Sequence, residues 1–176
     1  MAEATPNESS PQGATASRKV LITGVSKGLG RALALELANR GHTIIGCSRD
    51  QTKLHSLQQQ LAKVSSTKHL LLNVDVRSNS KVEEFAGATV ENELVPNIIG
   101  LSKATAQEVP KGMAIVALDP GIIYTDMLTS CLGDFAPIYQ SPQHWASKAA
   151  TMILNLTALD NGASLTVEDP GTLPSL

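Results

Sequence analysis

An α/β fold with a doubly wound parallel sheet is predicted by three features of this sequence. From Val20 to Arg49, an apolar strand, a glycine-rich turn, an amphipathic helix and a β-branched strand follow one another. Beyond them, apolar runs suited to buried strands alternate with segments of helical periodicity. With 176 residues, 42% of them hydrophobic, the chain can bury one sizeable core. The expected organisation is a disordered tail over residues 1–17, one domain over 18–167 and a second tail over 168–176.

Val20-Leu21-Ile22 forms the first strand, and the turn is Thr23-Gly24-Val25-Ser26-Lys27-Gly28-Leu29-Gly30. In the helix that follows, Leu29, Leu33 and Leu37 share a face beside Ala32, Ala34 and Ala38. Arg31, Glu36 and Arg40 are left to water. Gly41 ends the helix, since glycine takes the left-handed conformation without a Cβ clash. Thr43-Ile44-Ile45-Gly46-Cys47 is the second strand. Amides in the first turn of a helix have no partner inside it, so a pyrophosphate can satisfy them. Glycines at 24, 28 and 30 let phosphates approach and the helix pack on the strand. A glycine triplet alone is weak, because turn glycines are common. The strand before it, the helix after it and the second strand give it meaning.

Ser48-Arg49-Asp50 follows the second strand, where the adenosine ribose of a dinucleotide would sit. A carboxylate there suits the ribose 2′-hydroxyl of NAD, whereas a cation suits the 2′-phosphate of NADP. Ser48 and Arg49, with Lys27 across the turn, favour the phosphate. The competing reading is that Arg49 and Lys27 are solvated surface charges, and Asp50 has the wrong sign one residue further on.

Between Gln51 and Val64, Leu54, Leu57, Leu61 and Val64 recur at helical spacing, with His55 and Gln58-Gln59-Gln60 outward. His69 to Val76 reads as a buried strand, and Asp75 at its end also suits a simple capping role. Ser80-Lys81-Val82-Glu83 fits a capping box for a helix from about Lys81 to Asn92. Val95 to Ile99 starts another strand, and Met113 to Leu118 is a further buried one, followed by a loop from Asp119 to Asp126. Leu128 to Gln140 reads as a mobile loop. Ser141 caps a helix with Pro142 at its first position and Trp145, Ala149, Met152, Ile153 and Leu156 inward. Asn161-Gly162 turns into a last strand, Ser164 to Val167.

The TGxxxGxG spacing of Thr23 to Gly30 resembles the short-chain dehydrogenase/reductase family, and the run from Val20 to Arg49 resembles its plant NADPH-dependent pterin aldehyde reductases. The resemblance implies a Rossmann-like fold, truncated in its second half, that binds NADP(H). It implies cofactor contacts at Gly24, Ser26, Lys27, Gly28, Leu29, Gly30, Ser48 and Arg49. Asp75-Val76 resembles the position that holds the adenine ring, with the carboxylate near the base amino group. Asp119 to Asp126 resembles the family's PG loop, which implies nicotinamide and phosphate contacts at Pro120, Gly121, Ile123 and Thr125. A pterin-type aldehyde is the implied substrate.

The likeness breaks after Ile99. Relatives continue into an Asn-Asn-Ala-Gly turn, a long helix, a strand ending in a catalytic Ser and a Tyr-xxx-Lys helix. This chain runs through Gly100 into Leu101-Ser102-Lys103-Ala104, which resembles the middle of that later helix. Roughly two βα units are missing, ~60 to 80 residues at about 30 per motif. The residue four before Lys103 is Ile99, and Tyr124 and Tyr139 are followed four residues later by Leu128 and Gln143. No Tyr–Lys pair is therefore one helical turn apart, as lowering a phenol pKa by a neighbouring ammonium requires. No catalytic residue is assigned. The family's main subunit interface comes from the missing helices, so the usual tetramer is not expected.

A net charge of −2 without a basic run gives no reason to expect a nucleic-acid partner. No apolar run approaches the ~18 residues that span a bilayer. Residues 1–17 have neither the apolar core of a secretory signal nor the Arg-rich character of a transit peptide. Cys47 and Cys131 form no CxxC pair, no metal-ligand spacing is present, and a cytoplasmic setting is expected. Three readings stay open: an aldehyde reductase, an inactive NADP(H)-binding variant produced by exon skipping, and a poorly folded chain with no function.

Overall fold

A computed structural model of the chain describes residues 17–92 and 114–167. The expected tails, the strand at Val95 to Ile99 and the junction at Gly100 lie outside these residues, apart from Ser17 at the edge of the first tail. The elements are β1 (Lys19–Thr23), α1 (Gly28–Asn39), β2 (Thr43–Ser48), α2 (Gln51–Val64), β3 (Leu70–Asn73), α3 (Asn79–Glu91), β4 (Ala117–Asp119), α4 (Asp126–Leu132), α5 (Pro142–Asn155) and β5 (Ser164–Thr166). Short 3₁₀ turns occupy Gly133–Ile138 and Ala158–Asp160.

The described strands form two parallel ladders, β1–β2–β3 and β4–β5. In the first, Val20 is opposite Ile44, and Ile45 opposite Leu70. Side-chain alternation sends Val20, Ile22, Ile44 and Leu71 to the face covered by α1 and α2. Leu21, Ile45, Cys47, Leu70 and Leu72 go to the opposite face, against Phe85 of α3. This two-sided cover around parallel strands is the doubly wound α/β arrangement the sequence predicts.

Helix α1 is central. Its alanines let α5 come close, and Ala32 packs with Trp145, Ala146 and Ala149 of α5, Ile123 and Val167. Ala150 of α5 joins the core beneath the first ladder, and Leu118 of β4 packs against the second cluster. The α1–α5 pair thus lies under both ladders and holds the start of α1 near the end of β4. The C-terminus of α1 is a Schellman motif: Gly41, at φ +85°, donates to the Ala38 carbonyl, and His42 donates to that of Leu37.

Several sequence expectations need correction. Arg31 donates to the carbonyls of Ser26 and Lys53, to Ser56 Oγ and to Gln60 Oε1, which ties α1 to α2. Arg40 pairs with Glu36 at 2.7 Å and donates to Ser147 and Thr151 of α5. These charges join helices instead of facing water. Val64 is 43% exposed, because α2 ends there beyond the reach of the sheet. β3 pairs only with β2 among the described residues, so it is half-buried where a buried strand is expected, and it stops at Asn73. α3 starts at Asn79, which puts Ser80 inside the helix and not at its cap. The strand expected at Met113 to Leu118 is the shorter β4, with Met113 outside the described residues. Leu128 to Gln140, expected as a loop, is mostly α4 and a 3₁₀ turn, because Thr125 caps α4 by accepting the Leu128 amide at 3.4 Å. Leu156 is the C-cap of α5, and Leu154 packs on the core in its stead.

Candidate nucleotide-binding site

The glycine turn sits at the carboxyl ends of β1 and β2. The amides of Gly24 and Val25 both donate to the Cys47 carbonyl, at 2.8 and 3.3 Å, so the turn is pinned to the end of β2. Gly24 at φ +75° and Gly28 at φ +55° occupy the left-handed region, where a side chain is strained. Gly30 is needed for a different reason. A Cβ there would lie 2.6 Å from the Gly24 carbonyl oxygen, so only glycine lets α1 pack against the turn this closely. Lys27 precedes α1 and offers its first turn no side-chain cap. The amides there are free of that competitor for an anion.

Two openings flank the turn and share Gly24 and Lys27 in their lining. The first, of about 410 Å³, is lined among others by Ser26, Ser48, Arg49, Asp75, Val76 and Arg77. The second, of about 810 Å³, runs along Gly28, Leu29, Pro120, Gly121, Ile123 and Thr125. The two loops meet at Gly28, where an added Cβ would lie 3.9 Å from Thr125 Cγ2. Every cofactor contact expected from the sequence lines one of these openings except Gly30, which acts through packing.

Hydrogen bonds fix the first opening, at the ends of β2 and β3. Ser48 Oγ donates to Ser26 Oγ at 2.7 Å and accepts the Asp50 amide at 3.3 Å. Asn73 Nδ2 donates to the Arg49 carbonyl at 3.3 Å. Asp50 lies outside the lining: its Oδ1 accepts the Lys53 amide at 3.0 Å, capping α2. That amide is the main cause holding the Asp50 carboxyl below its usual range. Arg77, which the sequence reading did not single out, grips Asp75 in a fork, with Nε 3.0 and 3.1 Å from the two carboxylate oxygens. This guanidinium lowers the Asp75 pKa to about 2, with Arg49 adding to the effect. The charged lining of this end is Lys27, Arg49 and Arg77 against Asp75. Cys47 also lines it, and burial pushes its thiol above the ordinary range.

At the far end, Asp119 Oδ1 accepts the Gly121 amide at 2.9 Å, and Gly121 turns at φ +68°. The chain then pairs with Gln140, whose carbonyl accepts the Tyr124 amide. Tyr124 lines neither opening. It lines an adjoining depression, which shares Gly28, Thr125 and Asp126 with the second opening, together with Arg31, Ala32 and Leu35 of α1 and Gln60, Lys63 and Val64 of α2. Among the described residues no group of three or more His, Cys, Asp or Glu could hold a metal.

A family model described as short chain dehydrogenase matches residues 18–94. The chain is 44% identical, over 244 aligned positions, to the NADPH-dependent pterin aldehyde reductase of Arabidopsis thaliana, covering 95% of this chain and 100% of the relative. It is 32% identical over 77 residues to human retinol dehydrogenase 13, covering 43% of this chain and 23% of that one. Among solved structures, L-sorbose reductase from Gluconobacter frateurii with NADPH and L-sorbose superposes with a TM-score of 0.73 at 16% identity, over 92% of this chain and 98% of that one. A short chain dehydrogenase from Shigella flexneri with NADP gives 0.72 at 14% identity, over 85% and 96%. At such identities the structural likeness establishes the fold.

Proposed function

Because the chain belongs to the short-chain dehydrogenase family, we propose that it binds NADP(H) in the cleft between the glycine turn and the Pro120–Gly121 loop but lacks the machinery to reduce an aldehyde there. The charge at the ribose end carries this reading: Lys27 and Arg49 face the opening, while Asp50 is committed to capping α2. A 2′-phosphate suits such a lining, whereas a bare ribose would find no carboxylate at the first position past β2. The name of the Arabidopsis relative agrees. A bound dinucleotide would supply the hydride of the family's reaction. The chain's own residues bind its phosphates through the first amides of α1, hold its ribose end through Arg49 and Ser48, and orient its other end against Gly121 and Thr125.

Two observations support the loss of activity. The alignment to the Arabidopsis relative spans 244 positions, whereas 95% of 176 residues is about 167, so about 77 positions of that relative have no counterpart in this chain. That is the size of the two βα units missing between Ile99 and Leu101, where the family resemblance puts the catalytic Ser and Tyr-xxx-Lys. Tyr124, on the loop that follows Gly121, lines the α1–α2 depression and neither of the two openings. Positioned acid catalysis contributes typically ~10²–10⁴-fold and an oxyanion donor a further ~10²–10³. Without both, turnover falls toward background.

A pterin-type aldehyde is the substrate class to test, following the relative's name. The setting is cytoplasmic, in keeping with two unpaired cysteines, one buried and one exposed. The family tetramer does not form, its interface helices being part of the missing units, and the chain corresponds to a transcript that skips them. Calorimetric titration with NADPH and NADH tests the binding: NADPH binds more tightly, and equal affinities would contradict the assignment.

A further inference from the structure

We propose that Arg77 is a third cation of the nucleotide cleft, which together with Lys27 and Arg49 holds the 2′-phosphate of an NADP-type dinucleotide and sets the selectivity for it. This rests on the NADP(H) reading above. Arg77 follows β3 on a turn in which its amide donates to Asp75 Oδ1 at 3.1 Å and the Ser78 amide donates to the Asp75 carbonyl at 3.0 Å. The fork to Asp75 uses Nε and one Nη2 proton, which leaves the remaining guanidinium donors open toward the cleft that Arg77 lines. The side chain is 76% exposed, so its pairing with Asp75 contributes little to folding. What the pair does is hold a guanidinium at the mouth of the cleft in a fixed orientation, so less freedom is lost when a phosphate arrives.

The charges agree with this occupant. Lys27, Arg49 and Arg77 against Asp75 leave the ribose end two positive charges in excess. A phosphate monoester carries about −1.5 to −2 at neutral pH. Both Asp75 oxygens are taken up by the Arg77 amide, Nε and Nη2, so the carboxylate serves to fix Arg77.

The test compares two probes that differ only in the 2′-phosphate: adenosine 2′,5′-bisphosphate and 5′-AMP, titrated calorimetrically into the full chain and its Arg77→Met variant. The expected result is a loss of about tenfold for the bisphosphate and less than about twofold for 5′-AMP, the scale of one charged hydrogen bond. Equal losses for both probes, or none for either, would overturn the role of Arg77 while leaving nucleotide binding intact. A parent chain that binds neither probe would overturn the NADP(H) reading and this inference with it.

Discussion

The Asp50 carboxylate accepts the Lys53 amide at 3.0 Å and pairs with the Lys53 ammonium at 3.4 Å, which turns toward α2 the acidic group that follows Arg49. The acidic neighbour therefore does not oppose a phosphate at Arg49. Replacing Arg49 by Ala should weaken NADPH about ten- to a hundredfold, since a charged hydrogen bond contributes roughly 1.5–3 kcal/mol. NADH should be nearly unaffected. Asp50→Ala should lower the melting temperature through the lost cap while keeping the preference for NADPH. Calorimetry on both variants separates the two effects.

Gly30 and Gly87 should respond to alanine in opposite ways. At Gly30 the new Cβ would lie 2.6 Å from the Gly24 carbonyl oxygen, so the turn or α1 must shift. Gly30→Ala should cost ~1–3 kcal/mol, the usual scale of overpacking, and abolish nucleotide binding. At Gly87, inside α3, nothing lies within 4 Å of the added Cβ. Gly87→Ala should stabilise by ~0.4–1 kcal/mol through the unfolded chain. Urea denaturation of both variants checks the two signs.

The difference between these glycines also marks what the sequence can reveal. The unit from Val20 to Arg49 was legible because its signals are local: glycines at turn spacing, leucines four apart, Gly41 after the last helical turn. Contacts distant in sequence were not. Nothing near Arg40 predicts that its guanidinium reaches Ser147 and Thr151, 107 and 111 residues away. The sequence did not single out Arg77, because its place depends on the opening that the ends of β2 and β3 frame together. Val64 kept the helical period of α2, yet periodicity does not say where the sheet beneath a helix ends.

The Arg40 clamp should matter for stability. It joins Glu36 on its own helix to the Ser147 carbonyl and Thr151 on α5, the helix that bridges the two ladders. Arg40→Ala should destabilise by ~1–3 kcal/mol, because these are several hydrogen bonds from one charged group. Arg40→Lys should recover only part of this, since an ammonium lacks the planar fork. Thermal melts of both variants give the comparison.

Acid should weaken the fold through two histidines. His42 Nδ1 accepts the Arg18 amide and His69 Nδ1 accepts the Ile44 amide, each at 3.1 Å, and both rings are buried. Each must be neutral at Nδ1 to accept. Burial lowers both pKa values, and the nearby Arg18 and Arg40 lower His42 further. A folded pKa below the unfolded value of about 6.5 means that this stability is complete above about pH 6.5 and declines as pH falls below it. The denaturation midpoint should therefore drop between about pH 6.5 and 5, and His69→Gln should make the slope shallower. A midpoint independent of pH over that range would contradict this.

The central proposal is that the chain binds NADPH without turning it over. Its most direct test is the fluorescence of NADPH mixed with the full chain, followed in time after a pterin aldehyde is added. The bound signal should appear on mixing and then stay level, within the background oxidation of NADPH and aldehyde alone. A decay above that background which Tyr124→Phe abolishes would contradict the account and make Tyr124 the acid of a rewired reductase.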